Sequence, residues 1–309
     1  MAAGSRKVIF AALIGNTLIA ICKFGAALIT GSAAMLAEGI HSTVDTGNQI
    51  LLLHGIKKAK QPPDERFPFG HGKEIYFWSF VVAILIFAVG AGVSIYEGIL
   101  HIRHPRPIEN AQINYIVLGL AFIFEGAAWF FALHEFTRAK GKWGYVEAVQ
   151  RSKDPTLFVV LFEDSAALIG IVIAFFGVYL SQVTGILYLD GLASVLIGLL
   201  LAGTAIWLAY ETKGLLIGEG AMPGTVRGIR EILGAHDHIE AVNEVLTLHM
   251  GPNYVLVNVS VDFRNDITAD QVERGIARID QDIKQLFLNV KRVFIEAEAK
   301  PLEPEVELK

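Results

Sequence analysis

The chain has 309 residues, of which 53% are hydrophobic and only 18% are charged, whereas about a quarter of the residues in a soluble globular domain are charged. Residues 211–309 carry 11 basic and 17 acidic side chains, a net charge of −6, while residues 1–210 carry 15 basic and 14 acidic side chains, a net charge of +1. The acidic C-terminal part argues against a nucleic-acid-binding surface, and the single cysteine, Cys22, excludes an internal disulfide and a multi-cysteine metal site.

Six apolar segments are long enough to cross a bilayer, which requires about 20 residues in a helix. They cover residues 8–29, 33–56, 75–100, 113–136, 156–180 and 187–210. We therefore predict that residues 1–210 form a six-helix transmembrane domain in an integral membrane protein.

The second apolar segment contains a stripe of polar residues at helical spacing. Its members are Glu38, His41, Asp45, Asn48 and Gln49. His41 and Asp45 lie one turn apart on one helix face, where an imidazole and a carboxylate can hold a divalent metal. Ionisable groups at membrane depth are costly and usually mark a pathway or a relay. The alternative is a histidine satisfied by a neighbouring carbonyl, which a stripe of five polar residues disfavours.

The loops differ in their content of basic residues. Lys57, Lys58, Lys60, Arg66 and Lys73 follow the second segment, and a similar group separates the fourth segment from the fifth. The loops on the other side contain two arginines and no lysine. Because cytoplasmic loops are enriched in basic residues, we expect both termini to be cytoplasmic.

The fifth segment carries two adjacent carboxyl groups, Glu163 and Asp164, within an otherwise apolar sequence. Two neighbouring carboxylates repel each other, so either one takes a proton or a cation lies between them. Both states suit a site that exchanges metal for protons, and the alternative is a pair solvated at the membrane interface.

We also predict that Lys23 pairs with Glu125, and that Asp190 has a structural role near a helix start.

Residues 211–309 have the pattern of a small α+β domain. Val226 begins a helical repeat of apolar residues, and residues 242–249, 254–263 and 290–298 are predicted strands. Thr268 is a predicted N-cap for a second amphipathic helix. The order α-β-β-α-β predicts a metallochaperone-like sheet with helices on one face. Pairing with a second copy would enlarge its modest core, so we expect a cytoplasmic dimerisation domain.

Three stretches together resemble the cation diffusion facilitator family. Residues 31–45 are similar to its second helix, and residues 67–73, Phe-Pro-Phe-Gly-His-Gly-Lys, are similar to its loop between helices 2 and 3. Residues 154–167 resemble one branch, the zinc-transporter-nine-like proteins and their bacterial relatives.

The resemblance implies a homodimeric metal/proton antiporter that exports a divalent ion, most readily Zn²⁺, from the cytoplasm. Members of the family bind the ion with one residue pair from the second transmembrane helix and another from the fifth transmembrane helix. His41 and Asp45 match the first pair, and Asp164 matches half of the second. The remaining position holds Val160, and Glu163 is the candidate substitute, although it points about 100° away from Asp164 on an ideal helix. This oxygen-rich set leaves Mn²⁺, Fe²⁺ and Co²⁺ open as substrates.

The resemblance also marks Asp64 and His71 as weaker metal candidates, but Phe67 occupies the family's third ligand position and we expect a weak or absent site.

No resident cofactor is expected, and the implied location is a bacterial inner membrane. The chain lacks a His-Glu-x-x-His motif, a nucleophile elbow and a phosphate-binding glycine loop, which argues against an enzyme. The open alternatives are a manganese or iron transporter, and an ion-responsive membrane regulator without net flux.

Overall fold

The computed structural model describes residues 3–299, with the side chains of residues 13–138, 140–156 and 158–299. In chain order the helices and strands are α1 (Ala3–Thr30), α2 (Ala33–Ala59), α3 (Glu74–Leu85), a π-helical segment (Ile86–Ala91), α4 (Gly92–Arg103), α5 (Ala111–Lys140), α6 (Tyr145–Arg151), α7 (Pro155–Thr184), α8 (Tyr188–Ile217), α9 (Pro223–Gly234), β1 (Ile239–Gly251), β2 (Tyr254–Phe263), α10 (Ala269–Leu286) and β3 (Val290–Ala297).

Each predicted apolar segment coincides with a long helix, and α3, the π-helical segment and α4 together form the third. Within the described residues, five spans are long and apolar enough to cross a membrane: Leu13–Thr30, Glu74–Arg103, Ala111–Arg138, Phe158–Thr184 and Tyr188–Ile217. Helix α2 is not among them because its polar stripe lowers its hydropathy. The predicted class, an apolar helical bundle followed by a small α+β domain, is confirmed.

The ends of the long helices follow local chemistry. Pro155 occupies the first turn of α7, and the Asp154 carboxylate accepts a hydrogen bond from the Thr156 amide at 3.1 Å, which caps the helix. Between α1 and α2 the chain turns at Gly31, whose φ of +71° is open to glycine at little cost.

Asp190 caps a helix other than its own. It belongs to α8, but its carboxylate accepts hydrogen bonds from the Ser32 hydroxyl at 2.6 Å and from the Ala33 amide at 2.5 Å, at the start of α2. Its exposed fraction is 0%. Asp190 therefore satisfies backbone groups of α2 that the helix itself cannot satisfy.

Helices α4 and α8 approach each other through glycines. A Cβ atom on Gly98 would lie 2.7 Å from the Gly191 carbonyl oxygen, and one on Gly198 would lie 2.5 Å from an Ile95 side-chain carbon. The Ser194 hydroxyl also donates to the Ser94 carbonyl at 2.8 Å. Small residues of this kind allow close backbone packing between membrane helices.

The described chain divides into two compact units. The first comprises residues 3–58 and 74–213, and the second comprises residues 59–73 and 214–299. The loop after α2 thus groups with the C-terminal residues, a feature for which the sequence pattern gave no signal.

The second unit contains a three-stranded sheet of order β1-β2-β3 within the described residues. β1 and β2 are antiparallel, and β2 and β3 are parallel. One face of β2 is fully buried and carries Val255, Val257, Val259 and Val261. These valines pack in one cluster with side chains of α9 and α10, which confirms helices on one face of the sheet. Thr268 caps α10 in a capping box, as predicted.

Candidate metal-transport site

The polar stripe of α2 faces the interior of the helical bundle. The exposed fractions of Glu38, His41 and Asn48 are 0%, 1% and 0%. Asp45 is half-buried. The stripe is therefore built into the protein and is not directed toward lipid, as the periodicity predicted.

His41 and Asp45 are neighbours on this stripe. Their Nδ1 and Oδ1 atoms lie 3.3 Å apart, although the angle is unsuitable for a hydrogen bond. Neither ring nitrogen of His41 has a hydrogen-bond partner among the described residues, so a backbone carbonyl does not satisfy the imidazole. The imidazole therefore keeps a nitrogen lone pair for another ligand.

The two carboxyl groups of α7 point to different neighbours. Glu163 is 4% exposed, and its Oε1 atom accepts a hydrogen bond from Asn48 Nδ2 at 2.8 Å. Asp164 lies on the wall of a small cavity. The burial of Glu163 contradicts the alternative of a pair solvated at the interface.

The cavity has a volume of about 20 Å³, room for roughly one water molecule. It is lined by Asn16, Ser42, Asp45, Glu125, Ala128, Asp164 and Ala167. Three helices, α2, α5 and α7, each contribute one carboxyl group. A space of this size that is bordered by three carboxyl groups suits a single small cation.

Lys23 of α1 is fully buried next to the cavity and bonds to three side chains. Its Nζ atom lies 2.7 Å from Glu125 Oε1, 2.8 Å from Glu38 Oε2 and 2.9 Å from Ser42 Oγ. The predicted pairing with Glu125 is confirmed, and Glu38 is a second partner that the sequence did not reveal. Glu38 Oε1 lies against Gly170 of α7, where any larger side chain would overlap it.

The predicted site residues are only partly gathered at one place. Asp45 and Asp164 share the cavity, His41 lies beside Asp45, and Glu163 is bonded to Asn48 outside the cavity lining. Among the described residues, no three His, Cys, Asp or Glu side chains are arranged to hold a metal directly. Glu125 is the cavity residue that the sequence reasoning missed as a potential ligand; its position inside an apolar helix was the available signal.

The weaker candidates lie in the loop of residues 59–73. Asp64 Oδ2 and His71 Nε2 are 2.9 Å apart, and Asp64 Oδ1 accepts hydrogen bonds from the Phe67 and Arg66 amides. The Phe67 amide and then His71 hold the pKa of Asp64 below its ordinary value. The Phe67 ring packs 4.6 Å from the His71 ring, in the place where a third ligand would be needed.

Comparison with known proteins identifies the family. The family model described as the cation efflux transmembrane domain matches residues 9–217. The mouse and human proteins named "Proton-coupled zinc antiporter SLC30A9, mitochondrial" are 35% and 34% identical over 94% of this chain, which covers 51% and 50% of their lengths. The chain thus spans about half the length of these curated relatives. The manganese efflux system protein MneP of Bacillus subtilis is 24% identical over 94% of this chain and 95% of its own length.

Among solved structures, the C-terminal domain of MamM in a nickel form matches 26% of this chain and all of its own length, at 14% identity and a TM-score of 0.24. The family match covers the whole helical bundle, including α2 and α7, and the similarity to the SLC30A9 proteins extends over nearly the entire chain. Families of this kind transport cations and are not enzymes. The chain belongs to the cation diffusion facilitator, or cation efflux, family, in its zinc-transporter-nine-like branch.

Proposed function

We propose that this protein is a divalent metal/proton antiporter that exports Zn²⁺ from the cytoplasm. The proposed transport ligands are His41, Asp45 and Asp164, with Glu163 able to contribute after a change of side-chain position. The names of the SLC30A9 relatives support zinc and proton coupling, and the family supports cation transport.

The observation that carries this proposal is a surplus of buried acidic groups around the cavity. Five carboxyl groups surround it or neighbour its lining: Glu38, Asp45, Glu125, Glu163 and Asp164. Among the described residues, the basic side chains in ion pairs with these acids are Lys23 and His41. Unpaired buried charge is costly, so protons or a metal ion must balance the remaining acids. A site with this requirement binds metal and protons in competition.

The cycle follows from this competition. When the bundle opens to the cytoplasm, a divalent ion meets ionised Asp45 and Asp164 and a ring nitrogen of neutral His41. When it opens to the opposite side, protons bind to the same groups and release the ion. Inward return of the protonated site completes an exchange of metal for protons.

The basic loops support cytoplasmic termini, and a bacterial inner membrane is the proposed location. The α+β domain is proposed to form a homodimer.

Manganese is the second candidate substrate. Three carboxyl groups line the cavity, and Mn²⁺ prefers carboxylate ligands to imidazole ligands. The similarity to MneP over nearly its full length agrees with this candidate.

The test is zinc flux into proteoliposomes driven by an imposed pH gradient. Wild-type protein should transport Zn²⁺, and Asp45→Ala and Asp164→Ala should abolish the flux. Glu135→Gln is the control, because Glu135 lies on the exposed surface of α5 with 67% of its side chain accessible. Flux that survives Asp45→Ala and Asp164→Ala would refute the proposed ligands. Ion binding without any flux of Zn²⁺ or Mn²⁺ in the wild-type protein would favour an ion-responsive regulator.

A further inference from the structure

We infer that Glu125 of α5 is the fourth ligand of the transported ion, and that Lys23 holds this carboxylate while the ion is absent. The inference rests on the proposed transport function and extends it to a third helix of the bundle.

The first support is position. Glu125 lines the same cavity as Asp45 and Asp164, and each of the three comes from a different helix. Glu163, the nearest alternative on α7, is instead hydrogen-bonded to Asn48 at 2.8 Å. Val160 has no atom that can bind a metal. Of the candidates for a fourth ligand, Glu125 is therefore the one that already borders the space where an ion fits.

The second support is unused bonding capacity. Glu125 Oε1 is bonded to Lys23, but Oε2 is buried and has no hydrogen-bond partner among the described residues. His41 Nε2 is also buried without a hydrogen-bond partner, and Asp45 Oδ1 and His41 Nδ1 make no hydrogen bond although they lie 3.3 Å from each other. Buried polar atoms without partners are rare and costly in proteins. Their concentration around one small cavity indicates that they are completed by something that binds there.

The third support is the bonding of Lys23. Its ammonium group has three donors, and Glu38, Glu125 and Ser42 accept all three. When a divalent ion enters the cavity, Glu125 can turn from Lys23 to the ion while the ammonium keeps Glu38 and Ser42. A flexible lysine stem with a compact charge suits this exchange better than the rigid fork of an arginine. The Lys23 ammonium thus balances part of the negative charge of the acidic site.

This arrangement sets the affinity of the site. An ion bound by Glu125 competes with the Lys23 ammonium for this carboxylate and is repelled by its positive charge, so binding is weaker than the number of carboxylates alone would give. A transport site must bind its ion firmly enough to load it and weakly enough to release it. Lys23 therefore adjusts the affinity for release, and Glu125 adds an oxygen ligand that favours Mn²⁺ relative to Zn²⁺.

The test is isothermal titration of the purified full-length protein with Mn²⁺ and with Zn²⁺, paired with flux in proteoliposomes. Glu125→Gln should weaken the binding of both ions at least about 10- to 100-fold, because loss of a carboxylate that only supports a ligand already costs that much in other metal sites. Lys23→Met should tighten binding and slow flux, because Glu125 is then always free to hold the ion. The double variant K23M/E125Q removes both members of the Lys23–Glu125 pair and leaves Glu38 without its ammonium partner, and it should still bind weakly. Glu135→Gln is the matched control on the same helix.

Two outcomes would overturn the inference. Binding to Glu125→Gln and to K23M/E125Q within about threefold of the wild-type affinity would remove Glu125 as a ligand. Weaker binding to a folded Lys23→Met variant would show that Lys23 acts only as a structural partner. If Asp45→Ala transports normally, the proposed function itself fails. If Asp45→Ala is inactive and Glu125→Gln binds normally, only the inference fails.

Discussion

Restoring the missing ligand position on α7 should change which metal the protein selects. Val160 precedes Asp164 by four residues, so the two positions lie about 6 Å apart along the helix axis and about 40° apart around it. Glu163, by contrast, is hydrogen-bonded to Asn48. Val160→His would therefore add a nitrogen donor on nearly the same face as Asp164.

The size of the effect follows from the chemistry of the added donor. Imidazole suits Zn²⁺ and carboxylate suits Mn²⁺, so an additional histidine should raise the Zn²⁺ to Mn²⁺ preference about tenfold, which corresponds to about 1.4 kcal/mol. Val160 is half-buried and packs against the core of the bundle, so the larger side chain should cost about 1–3 kcal/mol of stability.

The assay is a competition between Zn²⁺ and Mn²⁺ uptake in proteoliposomes at equal pH gradients. Val160→Leu is the matched control, because it changes the packing without adding a metal ligand. If Val160→His and Val160→Leu give the same ratio of Zn²⁺ to Mn²⁺ uptake, the reasoning that places this position at the transport site is refuted. In the Val160→His background, Glu125→Gln should cost less affinity than it does in the wild type.

Three further substitutions test the fold. Thr268→Ala removes the cap of α10 and should lower stability by about 1 kcal/mol in denaturant unfolding, whereas Thr268→Ser should not. Asp190→Ala leaves the buried Ala33 amide without its acceptor and should lower the free energy of unfolding by about 1–3 kcal/mol, measured as a lower melting temperature. An unchanged melting temperature would show that another group replaces this cap. Asp64→Asn should speed hydrogen exchange at the Phe67 amide near neutral pH. The folded state lowers the pKa of Asp64, so the ionised carboxylate stabilises the turn. In the wild type, the protection of the Phe67 amide should therefore also be lost as the pH falls through that lowered pKa. Equal exchange in both proteins at neutral pH would contradict this role.

The helical bundle could be predicted from the sequence because its signal is long and repeated. Segments of more than twenty apolar residues leave few alternatives in water or in lipid, and the polar stripe of α2 follows directly from helical spacing. The valines of β2 likewise predict one buried sheet face through their strict alternation. In both cases the pattern lies within a single element, so no knowledge of neighbouring elements was needed.

The assembly of the site could not be predicted to the same extent, because it depends on contacts between distant segments. Lys23 and Glu125 are 102 positions apart in the chain. Their pairing was a plausible match of charges, but the second partner, Glu38, depends on the rotation of α1 against α2. The direction of Glu163 toward Asn48 depends in the same way on how α7 is rotated relative to α2. Single-helix periodicity identifies the inward face but does not specify which inward groups meet.

The glycine contacts between α4 and α8 restrict how the bundle can change shape. At Gly98, Gly191 and Gly198, atoms of the other helix lie where a Cβ atom would stand, so the two helices pack closely along this face. In the proposed cycle we therefore expect α4 and α8 to move together as one pair. The expected hinge then lies between this pair and the helices proposed to hold the ion, α2, α5 and α7.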